Sequence, residues 1–289
     1  MEYVQLDVTS EAPMPLFSEE MQHLIYGMTM QGGLVFFARD EEAEEVKGVL
    51  GVFQSHIPGV VEVGMMYTFG DNVDGVITRD FIDFIMKATD AKVMRCQLSD
   101  DPSREMVAEL GFTHESTIQG IDLGEPVEQA TEGVISIAGK GFDYLNIEQR
   151  NQLRQLIRLG AEEESSYTPN LHIPSDNDID TIFADIAESK YDVYVRLEDG
   201  AVIALLMIDP TNPQSAVIGS VVVHPDHRLK GIGRLLVAQA VSDYGDAERL
   251  VLAVTLQSTP HLREFFGNCG LIPVATVHKF ASAEAQEVA

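Results

Sequence analysis

Cysteine is almost missing, basic residues are scarce, and no long apolar run occurs. Of 289 residues only two are cysteine, Cys96 and Cys269. They stand alone in different halves, without the paired spacing of a disulfide framework or a zinc site, and both are expected to be buried small hydrophobes. Lys and Arg number 19 against 46 Asp and Glu, a formal net charge of −27. Gripping a nucleic-acid backbone takes many Lys and Arg to displace counterions, so no nucleic-acid partner is expected. The acidic excess is spread along the chain, which reads as ordinary solubility ahead of a surface suited to high salt. The longest strictly apolar run, 201–208, falls far short of a membrane span, and residues 1–17 lack the basic and apolar segments of a signal peptide. The expectation is a soluble, cytoplasmic chain with no membrane attachment.

What is present is a hydrophobic content of 45%, enough to bury a sizeable core in one large domain or two smaller ones. Strand-like and helical runs alternate throughout. The turn-prone stretch GEPVEQATEG at 124–133 separates two halves of similar order and sets the expected domains at 1–126 and 127–289. In the second half a strand is expected at 135–138, helices at 147–159 and 178–190, and an antiparallel meander at 191–197, 201–208 and 216–223. A helix at 233–244, a strand at 250–256, a short helix at 260–266 and a strand at 271–280 complete it. The first half repeats the order, with strands at 34–38, 47–54, 60–67 and 92–98 and helices at 79–88 and 103–110. The endings EMVAELGF (105–112) and EFFGNCGL (264–271) recur in the same place, pointing to a duplicated fold.

One motif carries chemistry. VVVHPDHRLKGIGRLL (221–236) is a strand, a Pro-containing turn, a glycine pair at 231 and 233, and a helix with leucines on one face. Gly231 and Gly233 allow a ligand close to the backbone. Successive N–H groups backed by a helix N-terminus suit a pyrophosphate, which Arg228, Lys230 and Arg234 can neutralise. The plainer alternative is a Gly-rich turn before an ordinary helix with solvated basic residues. A dinucleotide fingerprint would need a small residue where Leu236 stands, and a Walker loop would need Lys and then Ser or Thr after its second glycine.

The run resembles the GNAT superfamily signature, in which Arg or Gln is followed after two residues by Gly and, one residue later, by Gly or Ala, after a strand ending in an apolar-x-Pro turn. Arg228, Gly231, Gly233, Val223 and Pro225 match it, and the resemblance extends over about 133–280. It implies an α/β (α+β) protein of two tandem GNAT-like domains, each a mixed, mostly antiparallel central sheet flanked by helices. It also implies acetyl-CoA as co-substrate and no metal. The backbone of Val221, Val222 and Val223 would pair with the pantetheine arm, while Leu229, Lys230, Gly231, Ile232, Gly233 and Arg234, with Arg228, would hold the pyrophosphate.

The chain departs from the pattern at the chemical step. Where relatives carry Asn and Tyr, counting back from Gly270 gives Thr259 and Phe266, so the usual phenol that protonates the departing thiolate is missing. Candidates for proton handling are His224, Ser258, Thr259, His261 or water. Phe265 and Phe266 are read as packing first and acyl-pocket lining second. In the first half the equivalent loop, 68–80, has Asp71 and Asp74 in place of positive charge and no glycine pair, so that half is expected not to bind coenzyme A. The function implied is N-acetyl transfer to a primary amine on a small molecule or peptide, with non-catalytic acyl-CoA binding as the alternative. A homodimer is an allowed assembly.

Overall fold

A computed structural model describes residues 1–6, 17–40, 45–69, 77–121, 133–137, 139–168, 171–245 and 249–282. The expected boundary between 126 and 127, and the loop residues Asp71 and Asp74, lie outside these. In chain order the elements are β1 (Glu2–Gln5), α1 (Glu19–Met30), β2 (Leu34–Asp40), β3 (Glu45–Gln54), β4 (Val60–Thr68), α2 (Arg79–Ala88), β5 (Val93–Leu98), α3 (Asp101–Glu109) and β6 (Thr113–Gly120). They continue as β7 (Val134–Ser136), α4 (Ile147–Ser165), α5 (Asp176–Ala187), β8 (Asp192–Glu198), β9 (Ala201–Asp209), β10 (Ser215–Val223), α6 (Ile232–Gly245), β11 (Leu250–Leu256), α7 (Pro260–Asn268) and β12 (Ile272–Ala281).

Two compact units emerge, 1–115 with 275–289, and 116–274. In the first unit the strand order is β1-β2-β3-β4-β5-β12, in the second β7-β8-β9-β10-β11-β6. Among the described residues each has one parallel pair, β4 with β5 and β10 with β11, and its other strand pairings are antiparallel. The duplicated fold is therefore real, and its sixth strand is exchanged along the sequence. Residues 276–281 of β12 pair with β5, and residues 116–120 of β6 pair with β11.

The first unit buries Leu50, Phe81, Ile85 and Met94 on the face covered by α2 and α3, and Ile25, Met28, Val35 and Val49 on the face covered by α1. Phe280 of β12 is 2% exposed in the α2 face. Helix α2 begins at its Thr78 cap, whose hydroxyl accepts from Phe81 N–H, and α3 begins at the Asp100 cap with Pro102 in the first turn.

In the second unit α4 and α5 cover one face and α6 and α7 the other. The α4 capping box, Asn146 with Gln149, and the α5 box, Ser175 with Asp178, fix where both helices start. The β8–β9 hairpin turns on Asp199 and Gly200, both left-handed (φ 50° and 84°), the pair a tight hairpin of matching twist needs. Helix α4 outruns its expected end at 159 and stops at Ser165. Of the cysteines, Cys96 is buried, but Cys269 is only partly so.

In the first unit His278 stacks on His114 (ring centroids 5.4 Å), its Nε2 lies 3.0 Å from Thr276 Oγ1, and its Nδ1 is buried without a hydrogen-bond partner among the described residues. Burial, then the neighbouring His114 and the Arg104 guanidinium, hold its pKa below the usual histidine value. In the unfolded chain His278 titrates at about pH 6.5 and therefore takes up a proton that the folded chain refuses. Stability is complete above that value and is lost as pH falls through the lowered folded pKa. Thermal melts from neutral to mildly acidic pH should show this loss in the wild type and a flatter profile in His278→Gln; parallel profiles would refute it.

Candidate functional site

The site begins with a glycine inside a strand. Gly219 sits in β10 where the β9–β10 register shifts between Ile218 and Ser220, a bulge that bends the strand. Parallel pairing of β10 with β11 runs from Ser215–Leu250 to Ile218–Ala253 and, among the described residues, stops there. Both strands continue, β10 to Val223 and β11 to Leu256. The bulge thus parts the two strands, and among the described residues the β11-facing edge of Ser220–Val223 has no ladder partner, while β9 still pairs with the other edge. The same device appears in β4, where register shifts beside Gly64 and β5 pairing ends at Val63. There, however, the Phe53 ring comes within 2.5 Å, and the Met28 methyl within 3.3 Å, of where a Gly64 side chain would begin.

Side chains at the end of β10 alternate. Val222 faces the α4–α5 core, whereas Val221 and Val223 pack toward α6 and α7. The chain then makes a single 3-10 turn, Pro225–His227. His224 shapes it: the backbone N–H of Asp226 donates to His224 Nδ1 at 3.4 Å, and the imidazole is half exposed. His227 lies with Nδ1 2.6 Å from Glu198 Oε2.

Beyond the turn, Leu229 (φ 60°) and Gly231 (φ 78°) are both left-handed. Two such residues within three positions curl the backbone so that successive N–H groups face one way, the form of an anion-binding nest. Leu229 holds this conformation fully exposed, a strain for a side chain with no packing to repay it. The first α6 bond joins Leu235 N–H to Gly231 C=O at 3.0 Å. The N–H groups of Ile232, Gly233 and Arg234 therefore precede any helical acceptor and carry the positive end of the helix. Gly233 lets α7 approach, since a Cβ there would lie 3.2 Å from the Phe265 ring.

Three cations ring the nest. Lys230 and Arg234 are exposed, and among the described residues neither has a carboxylate at ion-pair distance. Arg228 donates from Nε to Val223 C=O (2.9 Å) and from a terminal nitrogen to Glu163 Oε1 (2.6 Å). Glu163 was not foreseen. Its signal was weak but present: three glutamates, Glu162–Glu164, close α4 with no basic residue in the last turn, where the helix dipole disfavours them.

The remaining candidates lie just ahead of α7 and in its first turn. Thr259 is 2% exposed and its hydroxyl donates to Leu256 C=O at 3.0 Å rather than capping the helix. Ser258 and His261 are exposed, and the His261 ring lies 4.9 Å from that of Tyr167, just past α4. Phe266 is buried in the α6–α7 core, while Phe265 is partly exposed. Burial pushes the Cys96 thiol up to about 12 and that of Cys269 to about 11, so neither is a thiolate at neutral pH. Among the described residues no group of three or more His, Cys, Asp or Glu is arranged to hold a metal ion, and no helix is long and apolar enough to cross a membrane.

The acetyltransferase (GNAT) family matches residues 157–271, from the second half of α4 to the end of α7. Solved structures of similar fold include a tandem GNAT protein from the clavulanic acid biosynthesis pathway, with TM-score 0.50 and 15% identity over 97% of this chain and 98% of that one. A GNAT-family acetyltransferase from Colwellia psychrerythraea aligns with TM-score 0.55 and 11% identity, covering 97% and 99%. A GCN5-related N-acetyltransferase from Sphaerobacter thermophilus gives 0.51 and 14%, covering 86% and 80%. At such identities the likeness is one of fold. No curated protein matches the sequence.

Proposed function

We propose, from the premise that residues 157–271 belong to the acetyltransferase (GNAT) family and that the chain has the tandem GNAT fold, that this protein transfers an acetyl group from acetyl-CoA to a primary amine. The observation that carries the reading is the parting of β10 from β11 at Gly219, directly ahead of the nest at 229–234. The free edge of Ser220–Val223 offers peptide groups to an amide-bearing arm, and the nest with Lys230, Arg234 and Arg228 offers N–H groups and charge to a pyrophosphate. Acetyl-CoA supplies an activated thioester, whose acetyl carbon the amine attacks directly. With both thiols held protonated by burial, the cysteines contribute no nucleophile for a covalent relay.

The chain's part is then positioning, with an unpaired strand N–H near the bulge to stabilise developing negative charge on the carbonyl oxygen. Of the proton-handling candidates, Thr259 is committed to Leu256 C=O, which leaves His224, Ser258 and His261 as the side chains exposed to a bound amine or to water. The acceptor class in this reading is a small-molecule or peptide amine met in the cytoplasm. The unit formed by 1–115 and 275–289 does not bind coenzyme A in this reading, because Phe53 and Met28 fill the space beside Gly64.

Burial of Phe266 where relatives place a phenol favours a second reading, non-catalytic acyl-CoA binding. Calorimetric titration with acetyl-CoA, followed by thiol-release assays over a panel of amines, separates the two. The transferase binds and releases coenzyme A with some amine, and Arg228→Ala weakens binding about tenfold through loss of a charged donor. Binding without release from any amine selects the second reading, and no binding at all overturns both.

A further inference from the structure

Arg228 is the only motif cation that, among the described residues, already holds a carboxylate. How Glu163 reaches it is set by α4. A Cβ on Gly160 would lie 2.6 Å from Val222 Cγ2, so only glycine lets the helix settle this closely on β10. Three residues later on the same helix Glu163 meets Arg228, whose other arm is tied to Val223 C=O. The pair is roughly 40% exposed on the Arg side and 47% on the Glu side, and its carboxylate stands at the negative end of α4 with Glu162 and Glu164 beside it. Neither helix stability nor core packing accounts for a glutamate there.

We propose that Glu163 is a built-in competitor for the anion the nest receives: its carboxylate occupies Arg228 until a pyrophosphate displaces it. The proposal rests on the acetyl-CoA reading above and names a residue that acts on that ligand through Arg228. Entry of the diphosphate exchanges one charge-assisted hydrogen bond for another, so Arg228 is never left unpaired. The cost is that the arriving anion must work against a fixed negative charge. Glu163 therefore sets affinity for the pyrophosphate part of the ligand and is indifferent to the thioester part.

The test is calorimetric titration of wild type and Glu163→Gln with acetyl-CoA and with S-acetyl-pantetheine, which carries the thioester arm without the pyrophosphate. Gln keeps the shape and an oxygen that still accepts from Arg228, so the fold is retained. The expected result is about two- to fivefold tighter acetyl-CoA binding by the variant at low salt, the range of an exposed ion pair. That gain should shrink at about 1 M salt, where charges are screened beyond about 3 Å, and S-acetyl-pantetheine should bind both proteins alike. Wild-type binding with the variant no tighter, or a gain that extends equally to S-acetyl-pantetheine, overturns the competitor role alone. A wild type that binds no acetyl-CoA overturns the cofactor reading and this role together.

Discussion

Gly233→Asp is expected to lower acetyl-CoA affinity by about a hundredfold or more while leaving the protein folded. Gly233 contributes one of the three N–H groups ahead of the first α6 hydrogen bond, and an Asp there adds a negative charge at the helix end proposed to receive the pyrophosphate, on a side chain that starts against Phe265 and Val221. Juxtaposed like charges cost several kcal/mol in a binding site, and about 3 kcal/mol already corresponds to about a hundredfold. The same carboxylate is favourable in the first turn of a helix, which offsets the crowding of the new Cβ against Phe265, 3.2 Å away. Gly233→Ala meets that ring without adding charge and should lose less than about tenfold. Calorimetry alongside thermal melts decides the matter. If the Asp variant binds as tightly as the Ala variant, the anion is not held at this helix end.

Phe280→Ala should cost about 3–5 kcal/mol, the usual penalty for emptying an aromatic site in a packed core, and the loss should fall on the unit that contains residues 1–115. Phe280 is 2% exposed there, its ring 5.3 Å from Phe112 and beneath the Arg79 guanidinium at 3.9 Å. Hydrogen exchange read on β5 tests the assignment, because 276–281 supply that strand's antiparallel neighbour. Faster exchange at 93–98 in the variant is expected; unchanged protection would mean that β12 does not complete this sheet. By the same pairing, a segment comprising only 133–289 lacks β6 and exposes the bare edge of β11. It should aggregate rather than act as an independent enzyme.

The meander β8–β10, helix α2 and the glycine motif were legible because their letters are periodic or punctuated: alternating or continuous β-branched runs, EDG turns, an apolar stripe. Strand β6 was not. THESTIQG looks like a loop, yet Ser116, Thr117 and Gln119 are buried, and Gln119 is satisfied by donating to the carbonyls of Arg263 and Leu271. A polar strand that finds internal partners leaves no hydrophobic trace. Strand β1 and helix α1 were missed as well; α1 closes on the left-handed Gly32 (φ 83°) but has only Met21, Ile25 and Met28 buried, too thin an apolar stripe to read. Which strand fills a sheet's sixth position is decided by pairing over long separation, and no local pattern reports it. At the site, the loop was found but the bulge was overlooked, although a lone glycine in SAVIGSVVV is the mark of one. Glu163 could not be found from spacing, since it and Arg228 meet only through the close seating of Gly160 on Val222.

The exchanged sixth strand also sets a timetable for biosynthesis. Chains generally fold unit by unit as they emerge from the ribosome, the earlier-made unit first. Here the sheet begun by β1 waits for a strand whose Thr276 hydroxyl bonds to Leu98 C=O at a sequence separation of 178. Throughout that interval β5 is an open edge, while the unit made later already has β6, its own sixth strand, to hand. The order of completion is thus inverted: the unit formed by 116–274 can close first, and the unit translated before it closes last.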